Sequence, residues 1–294
     1  EKPFQYNKLS KFPNWLLQES IMHLKTKYRN QFKPPWPKIV IGCGRRSAPI
    51  GLWIKKQSNN HSHYIQTLWP GWPNKSIDLI ATPEHDQIYA GENIINFLTS
   101  PHIFAKEQLN QARKKWATTL SKLPFPRIAV LIGGDTRKNK FLPSHSSSMI
   151  KLLINFIGSS GSLMITTSRR TSKATQECIR KEINILGDRV VFWEKNLNTE
   201  NPYPGFLSYA DAVAVTGDSV SLCSEACSTG KPILIFSPVK ITTSKQKMFH
   251  QALIKKGIAE YLEKSDLNIL KRISYKPLNE ASFIAKEIKE RFLN

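Results

Sequence analysis

Residues 215–236 read VTGDSVSLCSEACSTGKPILIF. A short apolar run ends in Thr216-Gly217-Asp218-Ser219, a segment carrying Glu225 follows, and Gly230-Lys231-Pro232 leads into a second apolar run. Strand, polar turn, short helix and strand is the expected order. The turn's amides and hydroxyls can meet a phosphate or a ribose, and a carboxylate at 225 can accept both ribose hydroxyls. Ordinary capping competes for the same residues: Ser or Asp as N-cap, Gly230 as C-cap and Pro232 as stop signal. Capping accounts for Asp218 and Gly230 but not for the whole set.

Outward from this stretch the pattern repeats. KIVIG (38–42), HYIQTLW (63–69), IDLIA (77–81), NIINF (93–97), RIAVLI (127–132), SLMITT (162–167), RVVFW (189–193), DAVAVT from Asp211 and PILIF (232–236) are apolar runs that mostly do not alternate. Such runs predict parallel strands buried on both faces. Helical spacing fills several of the gaps, as in SSSMIKLLINFIG, where Met149, Leu152, Leu153, Phe156 and Ile157 line up behind serine cap candidates. TSKATQECIRKEINILG ends with Gly187 at a plausible C-cap. Alternating strands and helices predict an α/β fold with parallel sheets. The two prolines of SKLPFPR (121–127) mark a boundary, giving Rossmann-like domains at 1–122 and 123–294 that face a cleft, with the last helix packing back on the first.

The chain has 294 residues and 40% hydrophobic content, enough for packed cores and too apolar for disorder. No apolar run approaches the ~20 residues that span a bilayer. The opening EKPFQYNKLSKF lacks the apolar core and cleavage site of a signal peptide. Cys43, Cys178, Cys223 and Cys227 have no CxxC spacing, and the last two read as buried small hydrophobes. These features fit a cytoplasmic protein. The 43 Lys+Arg against 22 Asp+Glu, a net +21, favour polyanionic partners. Because the excess is spread along the chain, composition bias explains at least part of it, and no nucleic-acid recognition module appears. No specific nucleic acid is therefore expected. Residues 1–40 combine eight Lys/Arg and two Glu with Trp15, Leu16, Leu17, Ile21, Leu24 and Tyr28. That mix suits a peripheral contact with the anionic inner face of a membrane, although a helix packed on the first sheet explains it rather better.

The residues just after the strands share one character: GCGRRSAP, TPEHD, GGDTRKNK, SRRTSK, GDSVSLCSEA and SPVK. Ligands of doubly wound sheets bind at that end. Gly133, Gly134 and Asp135 offer amides at a sharp strand exit, although glycines also serve plain turns. Arg169 and Arg170 offer guanidinium groups before a helix, suited to a diphosphate. Neither GGDTRKNK nor CSTGKP is a P-loop, since GxxxxGK[ST] is absent. His85 and Asp86 make a candidate acid–base pair. HExxH spacing is absent, and no metal is predicted.

In order along the chain, IGCGRRSAPIGLWIKK, DLIATPEHD, VLIGGDTRKN, MITTSRRT, NPYPGFLSYADAVAVTGDSVSLCSEACSTGKPILIF and QKMFHQALIKKG resemble the mitochondrial fission Elm family, covering residues from about 36 to 260. The resemblance implies a GT-B-like architecture of two Rossmann-type domains. By that match Glu225 is the ribose ligand of a donor nucleotide, with Gly217, Asp218, Ser219 and Ser221 near the diphosphate and Thr216 beside them. The first strand–loop–helix of the family, with its DGxxGHxNQ-like loop, has no counterpart, so the N-terminal domain is expected to lack that unit. Two functions follow. One is a nucleotide-sugar-dependent glycosyltransferase, or a descendant that keeps the site, with the nucleotide-sugar as substrate, no cofactor, and His85 or Asp86 as base. The other is a non-catalytic scaffold that recruits a protein partner, as the plant members do for a dynamin-related protein.

Overall fold

All nine apolar runs form strands in the computed structural model of the chain, which describes residues 4–72, 75–88, 91–137, 139–194, 199–239 and 241–293. Within both sheets every pairing is parallel, and one isolated antiparallel bridge joins Tyr6 to Leu24. The chain is α/β and GT-B-like in being built of two Rossmann-type units, one formed by residues 1–97 with 282–294 and the other by 98–281.

In the first unit come α1 (Asn14–Leu17), α2 (Thr26–Arg29), β1 (Ile39–Cys43), α3 (Ala48–Gln57), β2 (His63–Thr67), β3 (Leu79–Pro83) and β4 (Ile94–Phe97). Its sheet has the order β1-β2-β3-β4. The helix α3 lies close on β2 because Gly51 carries no side chain: a Cβ there would stand 1.9 Å from the Tyr64 ring. Tyr64 is fully buried and its hydroxyl donates to Gln66 Oε1, so the ring cannot retreat.

The second unit runs α4 (Lys106–Lys115), α5 (Ala117–Leu120), β5 (Arg127–Ile132), α6 (Pro143–Ile157), β6 (Ser162–Thr167), α7 (Lys173–Ile183), β7 (Val190–Trp193), α8 (Tyr203–Tyr209), β8 (Ala212–Thr216), α9 (Val220–Ala226), β9 (Ile233–Phe236), α10 (Ser244–Lys255), β10 (Ala259–Tyr261) and α11 (Ile269–Arg272). Its strand order is β10-β9-β8-β5-β6-β7. Alternate residues of the central strands feed two cores. Ala129, Leu131, Val213 and Val215 face one, Ile128, Val130, Ala212 and Ala214 the other. Because both faces are covered, the strands read as unbroken apolar runs. The tenth strand, β10, is only Ala-Glu-Tyr and gives no such signal. Cys223 and Cys227 are buried, as their helical spacing predicts.

Two boundaries differ from the sequence reading. The units divide at Phe97/Leu98 and not at 122/123. Leu98, Phe104, Leu120 and Leu123 pack in one core with Leu131 and Phe206. Arg127, itself buried, donates to Leu123 O and Ser121 O at 2.8 and 2.7 Å and so ties the proline segment to β5. The prolines therefore mark a turn within one unit. The other difference is α6, which starts at Pro143, so that Ser146 lies inside the helix with its hydroxyl on Pro143 O. Proline at the first helical position is the better start signal.

The last helix, α12 (Glu280–Phe292), begins in the second unit, where Glu280 accepts the Leu98 and Thr99 N–H groups at 3.2 and 3.1 Å. Ile284 and Ile288 then join Ile65, Leu79, Ala81 and Phe97 in the core of the first. No helix among the described residues is long and apolar enough to cross a membrane.

Candidate functional site at the strand ends of the second unit

The chain reverses its direction of sheet growth between β5 and β8: β6 and β7 are added on one side of β5, and β8, β9 and β10 on the other. Ligands of open α/β sheets bind at the carboxyl ends beside such a switch point. There the structure brings together Gly133, Gly134, Arg170, Thr216, Gly217 and Asp218.

Gly133 N–H donates to Thr216 Oγ1 at 2.7 Å and Gly134 N–H to Asp218 Oδ2 at 3.1 Å. Only glycine permits this approach, since a Cβ at 133 would lie 2.3 Å from both Asp218 oxygens. Arg170 Nη1 sits 2.8 Å from the same Oδ2 and also donates to the Gly134 and Asp135 carbonyls, each at 3.1 Å. Asp218 is 4% exposed. Its main-chain carbonyl accepts from Gln246 Nε2 at 2.6 Å, and its Oδ1 is buried with no hydrogen-bond partner. Gly133, Gly134 and Arg170, foreseen as diphosphate ligands, are thus bonded to Thr216 and Asp218 of the turn, with a carboxylate where an anion was expected.

Ser219, not Asp218, is the N-cap of α9, its hydroxyl accepting from Leu222 N–H. Ser221 is exposed on the first turn of that helix. Gly230 closes the segment in the left-handed conformation, φ +68°, so the capping role foreseen for it is filled. Asp135 turns aside to Lys140 and the Phe141 N–H, at 2.7 and 3.0 Å, and the Lys140 ammonium holds its carboxyl below the usual range. Arg169 is exposed beside a cavity of about 490 Å³ whose lining includes Thr166, Thr167, Trp193, Tyr203 and Leu222. Thr167 Oγ1 is buried there with no partner.

Glu225 does not stand open. Tyr203, from α8, donates its hydroxyl to Glu225 Oε2. Burial raises the Glu225 carboxyl above its ordinary value, and the Tyr203 bond opposes part of that rise. Burial also pushes the Tyr203 phenol up, with the Glu225 charge second, so the phenol keeps its proton and remains the donor. Sequence reasoning assigned Tyr203 no role, and no periodicity links it to Glu225. It also passed over His250, which is fully buried behind the turn, with Gly217 so close that a Cβ there would meet the ring at 2.6 Å. Burial lowers the His250 imidazole to about 4, which keeps it neutral.

In the first unit His85 and Asp86 lie in a single helical turn after β3, with His85 Nε2 3.8 Å from Asp86 Oδ1. That is ion-pair range and too long for a hydrogen bond. No group of three or more His, Cys, Asp or Glu among the described residues is arranged to hold a metal.

Comparison with known proteins adds the lineage. The sequence profile of the family described as mitochondrial fission ELM1 matches residues 3–292. An uncharacterized protein of Rickettsia prowazekii is 30% identical, across 97% of this chain and 88% of its own length. The mitochondrial fission protein ELM1 of Arabidopsis thaliana is 28% identical, across 93% of this chain and 68% of its own. Among solved structures, S. aureus MnaA with UDP matches at a TM-score of 0.48 and 14% identity, over 97% of this chain and 80% of that one.

Proposed function

Because the chain belongs to the mitochondrial fission ELM1 family, we propose that it is a non-catalytic docking protein, a glycosyltransferase-type frame that recruits a protein partner. One observation carries this reading. The Asp218 carboxylate takes the Gly134 amide and the Arg170 guanidinium, two of the groups a departing nucleoside diphosphate would need. A buried carboxylate at that point repels phosphate, and its unpartnered Oδ1 asks for a donor, which phosphate is not. Glu225, engaged by Tyr203, is likewise not poised for a ribose.

A second reading has its own support in the 490 Å³ cavity and the unpartnered Thr167 hydroxyl at the strand ends. In it a nucleotide-sugar is the substrate, and Gly133, Gly134, Asp135, Arg169, Arg170, Thr216, Gly217, Asp218, Ser219, Ser221 and Glu225 form the donor site. His85 or Asp86 would then deprotonate the acceptor, and Asp218 must swing away before a diphosphate enters.

Calorimetric titration with UDP, CMP, GDP and ADP separates the two. The docking reading expects no saturable binding to folded wild-type chain. Saturable binding of one nucleotide, abolished by Glu225→Ala, would overturn it and identify the donor base.

A further inference from the structure

Six of the fifteen exposed large hydrophobic side chains among the described residues lie between Phe4 and Met22. Phe12, Trp15 and Leu16 are 50, 57 and 54% exposed. The turn that carries them is inside out. The buried residue of α1 is Asn14, whose Nδ2 donates to the Arg45 and Pro70 carbonyls. Arg45 in return donates to Phe12 O and Ser10 O at 2.8 and 2.7 Å. Further upstream, Asn7 N–H donates to His23 O and Lys25 N–H to Gln5 O, at 2.9 and 3.0 Å. Polar contacts thus fix the main chain to the first unit while large apolar side chains point to water. A helix packed on a sheet would bury the opposite face. Holding aromatic side chains outward on a pinned backbone marks a contact surface, not a loose end.

Charge identifies the occupant. Residues 4–38 carry Lys8, Lys11, Lys25, Lys27, Arg29, Lys33 and Lys38 against one acid, Glu19. Glu19 is itself engaged by Lys56 at 3.0 Å. A cationic surface bearing Trp, Phe and Leu is complementary to an anionic bilayer, where the basic groups meet lipid phosphates and the apolar groups enter the acyl boundary. A nucleic acid would leave aliphatic Leu16 and Met22 without a use. We propose that the Phe12–Leu17 turn of the first unit is a monotopic membrane contact, seating Phe12, Trp15 and Leu16 in an anionic bilayer with Lys8 and Lys11 among its headgroups. The contact does not depend on whether the second unit binds a nucleotide.

The test is co-sedimentation of the full chain with phosphatidylcholine vesicles and with phosphatidylcholine–phosphatidylglycerol vesicles, in low and high salt. Wild type binds the anionic vesicles, and part of that binding survives high salt. The combined Phe12→Ser, Trp15→Ser, Leu16→Ser variant binds at least roughly tenfold more weakly, as losing three apolar groups requires. Its thermal melting curve, unchanged because these side chains are exposed, shows that it is folded. Brominated lipids quench a fluorescence component that Trp15→Phe removes. Three results overturn the proposal: no vesicle binding by wild type, equal binding by the triple-serine variant, or a wild-type dimer that the variant converts to monomer without any vesicle binding.

Discussion

Arg170 closes on Asp218, Nη1 to Oδ2 at 2.8 Å, across the ends of two strands that are not adjacent in sequence. The two partners are unequal, since the side chain of Asp218 is 1% exposed and that of Arg170 38%. Most of what Asp218 contributes therefore comes through the buried Gly134 N–H and little through the screened guanidinium. Asp218→Ala leaves that N–H without an acceptor and lowers stability by about 1–3 kcal/mol. Arg170→Ala lowers it by roughly 0.5 kcal/mol. Urea unfolding midpoints check the ranking, and an Arg170 variant as costly as the Asp218 variant would contradict it.

Glu225 and Tyr203 give a pH signature. A carboxyl raised in the folded state contributes stability that is complete below its ordinary value of 4.5 and lost as pH rises through the folded value. Tyr203→Phe removes the bond that opposes the rise, so its cost is larger near neutrality than at about pH 4. Glu225→Gln, which cannot ionise, gains on wild type as pH increases. Unfolding curves across that range read both effects.

His250 works in the opposite sense. Its imidazole is lowered from 6.5 to about 4, so the stability it contributes is present above 6.5 and lost as pH falls through the folded value. The loss approaches about 3 kcal/mol at most. His250→Leu should flatten this part of the stability profile between those two values. An unchanged acid limb in that variant would assign the loss to other groups.

Gly134 and Gly217 differ in what surrounds them. A Cβ at Gly134, where φ is +156°, would lie 2.2 Å from the Arg170 carbonyl oxygen, which is main chain and cannot step aside. At Gly217 the obstacle is the His250 ring at 2.6 Å, a buried side chain and not main chain. Gly134→Ala costs about 3 kcal/mol or more and Gly217→Ala about 1–2 kcal/mol. Thermal melting of the pair decides the order.

Much of the second unit was legible because its strands are buried on both faces. Arg127–Ile132 and Ser162–Thr167 have the bounds their apolar runs predict. The polar turn after β8 was legible too, because a strand exit at a switch point is where small and polar residues gather. What the turn does was not. A glycine pair facing an aspartate is equally what a phosphate site and a self-satisfied turn require. The choice depends on where one carboxylate points, and Gly133 permits that direction without dictating it. Tyr203 escaped notice because its tie to Glu225 spans 22 positions and joins two helices by one hydroxyl. In the amino-terminal segment the composition suggested amphipathicity, but only the buried Asn14 reveals which face is turned inward.

The path of α12 bears on how the protein is made. One core cluster of the first unit holds Ile65, Leu79, Ala81 and Phe97, and it is completed by Ile284 and Ile288. On the ribosome the strands of this sheet emerge well before α12, so the face that α12 covers must stay open until residues 280–292 have followed. The second unit, continuous from 98 to 281, has no such wait. Vectorial synthesis thus leaves one face of the earlier unit unsealed until α12 has emerged, while the intervening unit can assemble from its own contiguous residues.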